Sequence, residues 1–259
     1  MGIVNVTPDS FSDGGRHATT DAAIAHARRL VQEGADILDI GGESTRPGAP
    51  AVSVEDECAR VLPVIEGLRE LDVPISIDTQ KPEVMRAALD AGADILNDIN
   101  GFRTDAALQA AASHPTCGVI TMHMQGTPQT MQQAPVYADV VREVKEFLLA
   151  SATTLERAGV TRERIMLDPG FGFGKTVEHN YTLMARLSAF TSLDLPVLVG
   201  VSRKSMLGAV TGKPVHDRLA ASIAAAMWAA AHGAAVLRVH DVAATVDALA
   251  IWHTVESFS

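Results

Sequence analysis

Short apolar runs alternate with helix-like stretches along the whole chain, and each run ends in a polar or charged residue. Ile3-Val4 leads to Asn5, Ile37-Leu38 to Asp39, Glu43 and Thr45-Arg46, Ile75-Ser76-Ile77 to Asp78, and Ile95-Leu96 to Asn97-Asp98. Val119-Ile120 leads to Met122-His123, Ile165-Met166-Leu167 to Asp168, Val197-Leu198-Val199 to Ser202-Arg203-Lys204, and Val236-Leu237 to Arg238 and His240-Asp241. Runs without an exposed face suit strands buried on both sides of a parallel sheet. Eight strand–helix units in 259 residues predict a single-domain α/β protein. Its expected architecture is a closed (β/α)8 TIM barrel with the site at the C-terminal strand ends. A doubly wound open sheet would alternate in the same way, but it gathers its site at one crevice. Chemistry-bearing residues after all eight runs favour the barrel.

Helical spacing fills the gaps. Ile24, Ala27 and Val31 share a face, as do Cys58, Val61, Leu62, Ile65 and Leu68. Pro82 opens a third helix and Gly92 lies just past its end. Residues 137–159 are expected to form the longest helix. The Ala-rich segment Leu219–Ala231 is too short and too weakly apolar to span a bilayer. It is expected to be a helix buried on most of its surface, at a subunit contact. Residues 7–20 and 41–54 are rich in Gly, Pro, Ser and Thr and longer than ordinary βα loops. With Asp9, Phe11 and Asp13 in one, and Glu43, Thr45 and Arg46 in the other, they are candidate lids.

A formal charge of −10 with no basic run argues against a nucleic-acid partner. Two cysteines without a CxxC pair, and no signal-like N-terminal run, fit a cytoplasmic protein that does not enter a membrane.

Asp168-Pro-Gly-Phe-Gly-Phe-Gly-Lys175 lacks the glycine spacing of a Walker A loop, but its glycines let backbone approach a flat ligand beside Phe171 or Phe173. Ser205 can open a helix, and Arg238 and His240 are two apart and point the same way off a strand. With Lys204 they suggest an anion pocket after strands seven and eight, where barrels often hold phosphate. Asp98 and Thr79 could each be a helix cap, and so, taken singly, could Asp78, Asn97 and Asp168. Facing one mouth together, these last three suit a planar heterocycle read by hydrogen bonds. His123 has no partner at metal-ligand spacing.

These segments together resemble dihydropteroate synthase. Ile3-Val-Asn-Val-Thr-Pro-Asp-Ser-Phe-Ser-Asp-Gly-Gly15 and Asp39-Ile-Gly-Gly-Glu-Ser-Thr-Arg-Pro-Gly48 look like its two signatures. Ile77-Asp-Thr79, Asn97-Asp98, Met122-His-Met-Gln-Gly126, Asp168–Gly174, Ser202-Arg-Lys-Ser205 and Arg238-Val-His-Asp241 follow in order over the whole chain. The resemblance implies a pterin-binding barrel over residues 1–259 and a transferase of folate biosynthesis, the sulfonamide target. Such an enzyme joins p-aminobenzoate to 6-hydroxymethyl-7,8-dihydropterin diphosphate, releasing diphosphate. Carried onto this chain, it assigns Asp78, Asn97, Asp168, Lys204 and Arg238 to the pterin. Thr45, Arg46, Pro47, Phe173, Lys204 and Ser205 would meet p-aminobenzoate, and Asn5, Arg238 and His240 the diphosphate. Asn5 would also hold Mg²⁺. Asp78, Lys204, Arg238 and His240 would serve catalysis, in a homodimer. The rivals are a pterin-binding methyltransferase domain, which needs neither loop signature, and a non-catalytic pterin-binding paralogue.

Overall fold

A computed structural model of the chain describes residues 1–7, 15–45 and 48–258, with residues 15–18 described by their backbone alone. The strands are β1 (Gly2–Asn5), β2 (Leu38–Gly41), β3 (Ile75–Asp78), β4 (Ile95–Asp98), β5 (Gly118–Met122), β6 (Ile165–Asp168), β7 (Leu198–Val199) and β8 (Val236–Leu237). Each falls on one of the apolar runs. β1 to β6 pair in sequence order, all parallel, and β7 pairs with β8. Two further bridges join these pieces, Leu167 to Val197 and Gly2 to Val239. At the second seam Ile3 N donates to Val239 O at 3.0 Å and Val239 N to Met1 O at 3.0 Å. The ring is therefore closed, and the barrel expected from the pattern is the fold.

The helices are α1 (Gly15–Gln32), α2 (Val54–Leu68), α3 (Pro82–Ala91), α4 (Asp105–Ser113), α5 (Val140–Arg157), α6 (Val177–Ala185), α7 (Ser188–Thr191), α8 (Ser205–Thr211), α9 (Leu219–Ala231) and α10 (Val242–Glu256). Local chemistry sets several of their ends. Ser53 Oγ accepts from Asp56 N at the start of α2, and Asp139 accepts from Val141 N and Arg142 N at the start of α5. Pro82 occupies the first turn of α3, and Gly92 closes that helix with φ 113°. Three expectations need correction. Residues 15–20 belong to α1, so the first long loop ends earlier than composition suggests. α5 spans Val140–Arg157 rather than 137–159, because Asp139 caps it, and α1 equals its 18 residues. Finally, α9 is not buried on most of its surface within the chain. Only Ser222, Ala226 and Ala229 are buried there, and Trp228 is 47% exposed.

Apolar side chains fill the layer between barrel and helices, including Leu38, Ile40, Ile65, Ile77, Leu96 and Leu167. A second cluster of Met1, Ile120 and Leu198 plugs the barrel itself. A third lies at the mouth, where Ile99, Met122, Met124 and Met131 pack with Phe173.

Candidate active site

Strand register brings together residues far apart in sequence. Asn5 pairs with Gly41, Gly41 with Asp78, and Asp78 with Asn97, so one row crosses the ends of β1 to β4. Gly41 keeps that row open. A Cβ there would lie 3.8 Å from Asp78 Oδ2 and 3.9 Å from Asn5 Oδ1, so both oxygens face the same gap. Asp168 ends β6 opposite Met122 on β5.

Arg238, just beyond β8, reaches across the mouth. Its Nε donates to Asp39 Oδ2 at 2.5 Å and its Nη2 to Asp78 Oδ2 at 2.6 Å. Asn97 Nδ2 donates to both Asp39 oxygens at 3.3 Å. Asp39 is fully buried and thus anchors the arginine and the amide together. Asp39 is the residue sequence reasoning left out of the site. It was visible as the polar end of the second run, and its role comes from a contact across 199 positions. Asp78 Oδ1 is buried and has no hydrogen-bond partner among the described residues, a costly state for a carboxylate oxygen. Burial outweighs the Arg238 charge and pushes the Asp78 carboxyl up to about 7. Burial also raises Asp168, against the pull of Lys204.

Lys204, at the start of α8, lies on the other side of the mouth. Its Nζ donates to Phe171 O at 2.5 Å and sits 4.6 Å from the centre of the Phe173 ring. Its stem passes Gly172, where a Cβ would meet Lys204 Cδ at 3.3 Å. Burial lowers its ammonium to about 8, although Asp168 opposes the shift. His240 Nδ1 lies 3.0 Å from Ser202 Oγ, which also accepts from His240 N. Burial, then the Arg238 charge, lowers His240 to about 4. At neutral pH it offers a hydrogen bond rather than a charge. A cleft of about 540 Å³ opens between α1 and the start of α10, with Asn5, Arg203 and His240 among its walls.

The remaining expected residues are less bound in. Ser205 is exposed at the first position of α8. Thr45 is half-buried, while Arg46, Pro47, Asp9, Phe11 and Asp13 lie outside the described residues. Glu43 secures the neck of the second loop, accepting from Val52 N at 2.8 Å and pairing with Lys81 at 2.7 Å. Arg203 is held by Asp241 at 2.5 and 3.0 Å. Asp98 accepts from Asn100 N and Phe102 N, the capping role open to it on sequence grounds, although it caps a turn and not a helix.

Known proteins resemble this chain over nearly its whole length. Residues 1–240 match the family described as pterin binding enzyme. Dihydropteroate synthase of Escherichia coli K12 is 51% identical over 254 residues, covering 97% of this chain and 89% of its own length. A Xanthomonas albilineans dihydropteroate synthase structure with 4-aminobenzoic acid superposes with a TM-score of 0.93 at 54% identity, covering 99% of this chain and 92% of that one. A Burkholderia cenocepacia dihydropteroate synthase complexed with 7,8-dihydropteroate gives 0.91 at 55% identity, covering 99% and 91%. With the signatures in register on a closed barrel, the chain belongs to the dihydropteroate synthase family of pterin-binding enzymes.

Proposed function

We propose that this mouth performs the family's reaction by dissociative substitution. The reaction joins 6-hydroxymethyl-7,8-dihydropterin diphosphate to p-aminobenzoate, giving 7,8-dihydropteroate and diphosphate in folate biosynthesis. The observation that carries the reading is the buried Asp78 Oδ1, without a hydrogen-bond partner among the described residues, beside Arg238 and Asn97. A pterin NH would give that oxygen its missing donor. Asp168 and Lys204 bind the ring from the opposite side, and Arg238 and His240 meet the diphosphate. Departure of diphosphate leaves positive charge on the pterin methylene, shared with the ring. Ionised Asp78 stabilises that charge by proximity in a site that excludes water. The arylamine, held by Thr45, Arg46, Pro47, Phe173, Lys204 and Ser205, then attacks without needing a strong base. A covalent enzyme intermediate has no support: burial raises both cysteine thiols, Cys58 on α2 and Cys117 before β5, so neither is an activated nucleophile.

The oxygen donors suit Mg²⁺. Asn5 Oδ1 is one neutral ligand facing the Gly41 gap, and no cluster of three His, Cys, Asp or Glu side chains able to hold a metal occurs among the described residues. Such an ion would draw its other ligands from the substrate's phosphates and water. Bound there, it would neutralise the leaving diphosphate. We further read the chain as a cytoplasmic homodimer. Among the described residues no helix is long and apolar enough to cross a membrane.

The order of bond breaking is tested at the second loop. Replacing Thr45, Arg46 and Pro47 with Gly or Ala is expected to raise KM for p-aminobenzoate. It should also divert the cation to water, so that diphosphate release outruns dihydropteroate formation when amine is scarce. Strict one-to-one product ratios, with no hydroxymethyl-dihydropterin, would instead support concerted displacement.

A further inference from the structure

The turn after β6 has no ladder to hold it; apart from one backbone bond, Phe173 N to Gly170 O at 3.1 Å, its carbonyls are satisfied by side chains. Gly172 O accepts from Gln132 Nε2 at 2.5 Å, Gly174 O from the Tyr137 hydroxyl at 2.7 Å, and Lys175 O from Asn180 Nδ2 at 3.3 Å. Phe171 O is taken by Lys204. The other two, Gly170 O and Phe173 O, are bonded by Lys175 Nζ at 2.8 and 3.0 Å. The same nitrogen reaches His123 Nδ1 at 2.9 Å and His123 O at 3.3 Å, stitching the turn to the end of β5. Lys175 is 3% exposed. A lysine amine is rarely buried without a purpose, because desolvating it is costly. Here its head fills the inside of a turn in which Gly170, Gly172 and Gly174 all take positive φ.

We propose that Lys175 is a positioning residue for the arylamine half of the site, fixing the Phe173 ring and the Phe171 carbonyl where Lys204 meets them. The inference rests on reading Phe173 and Lys204 as p-aminobenzoate contacts. The two halves of the site depend on Lys175 unequally. Asp168 is fixed by the strand itself, since His123 N donates to its carbonyl at 3.0 Å and it pairs in register with Met122. Phe173 belongs to no strand or helix, and its carbonyl is one of the two that Lys175 bonds. The Asp168 carboxylate also accepts from Gly170 N at 2.7 Å, but its backbone keeps the strand anchor, so loosening the turn moves the amine contacts more than the pterin carboxylate.

The test compares Lys175→Met with Phe173→Ala by steady-state kinetics for p-aminobenzoate and by equilibrium titration with the pterin diphosphate. Lys175→Met is expected to raise KM for the amine at least tenfold while the pterin diphosphate Kd moves less than threefold. Hydrogen exchange should quicken in the peptide spanning 169–176 and stay unchanged in β1 to β4. If Lys175→Met does not fold, Lys175→Gln, which keeps two donors on a shorter stem, carries the same comparison and should show a smaller rise. If Phe173→Ala raises the amine KM and neither Lys175 variant does, the positioning role is wrong. Equal loss of affinity for both substrates would also overturn it, since that is what general damage to the barrel gives. If Phe173→Ala itself leaves the amine KM unchanged, the assignment of Phe173 falls and the proposal falls with it.

Discussion

Asp78 and Lys204 titrate near the working pH from opposite sides, and both shifts come first from burial. The Asp78 carboxyl is raised to about 7 and the Lys204 ammonium lowered to about 8. The proposed chemistry needs the first ionised and the second protonated. Activity should therefore fall as pH drops through the Asp78 value and fall again as pH rises through the Lys204 value. A profile of kcat/KM against pH, which reports the free enzyme, is expected to be a narrow bell between those limbs. In Asp78→Asn the acid limb should vanish along with most of the rate. An acid limb that survives in this variant would assign it to another group. The second residue-scale prediction concerns Asp39, a carboxylate with no exposure that holds both Arg238 and Asn97. Asp39→Ala strands part of a buried guanidinium. Because Arg238 keeps Asp78 at 2.6 Å, the cost belongs at the lower end for a broken buried pair, about 3 kcal/mol. Denaturant melts would measure it, and pterin affinity should fall with stability. A stable variant with normal affinity would make Asp39 a bystander.

Elements explain what was legible in the sequence and what was not. The eight apolar runs fixed the strand positions because strands buried on two faces leave no polar alternation to misread. Their polar ends named the mouth, since a parallel barrel points every such end the same way. Pairing was not legible. Nothing in the run Ile37–Asp39 says that its carboxylate meets Arg238, because register and barrel closure decide that contact. The exposure of α9 was misjudged for a similar reason, as an alanine-rich pattern does not reveal whether its cover belongs to the same chain. The turn 170–175 is intermediate: its glycines signalled close backbone approach, but Lys175 as its pin did not show. A Cβ at Gly170 would collide with the His123 carbonyl, at φ 68°. Gly170→Ala should therefore lose at least about 1–2 kcal/mol from the left-handed backbone alone. Thermal melts and the amine KM should move together in that variant. Unchanged melting would mean that the turn relaxes freely, against the idea that side chains lock it.

Across the whole molecule, the closed ring faces its functional end with polar side chains, while one flank stays apolar. Leu219 and Trp228 on α9 are 44% and 47% exposed, and Ile251 and Val255 on α10 are 69% and 63% exposed. Phe258, just past α10, is 88% exposed. Single apolar residues on a surface need no explanation, but a group of this size on two neighbouring helices is where the proposed second copy would sit. Leu219 and Trp228 lie on opposite sides of α9, so the patch centres on Ile251 and Val255, one turn apart on α10, which packs against α9. A closed two-fold pairing would cover it with the same patch from a second copy. Light scattering at micromolar concentration is expected to give twice the chain mass. Ile251→Asp with Val255→Asp puts charge into the centre of the proposed contact and touches no residue of the mouth. That variant should run as a monomer and lose thermal stability, because the patch is then left in water. Its affinity for the pterin diphosphate should stay close to that of the parent, since the proposed pterin contacts all come from strand ends and loops of one barrel. A monomeric parent protein would refute the pairing outright. A variant that stays dimeric would place the contact on another face.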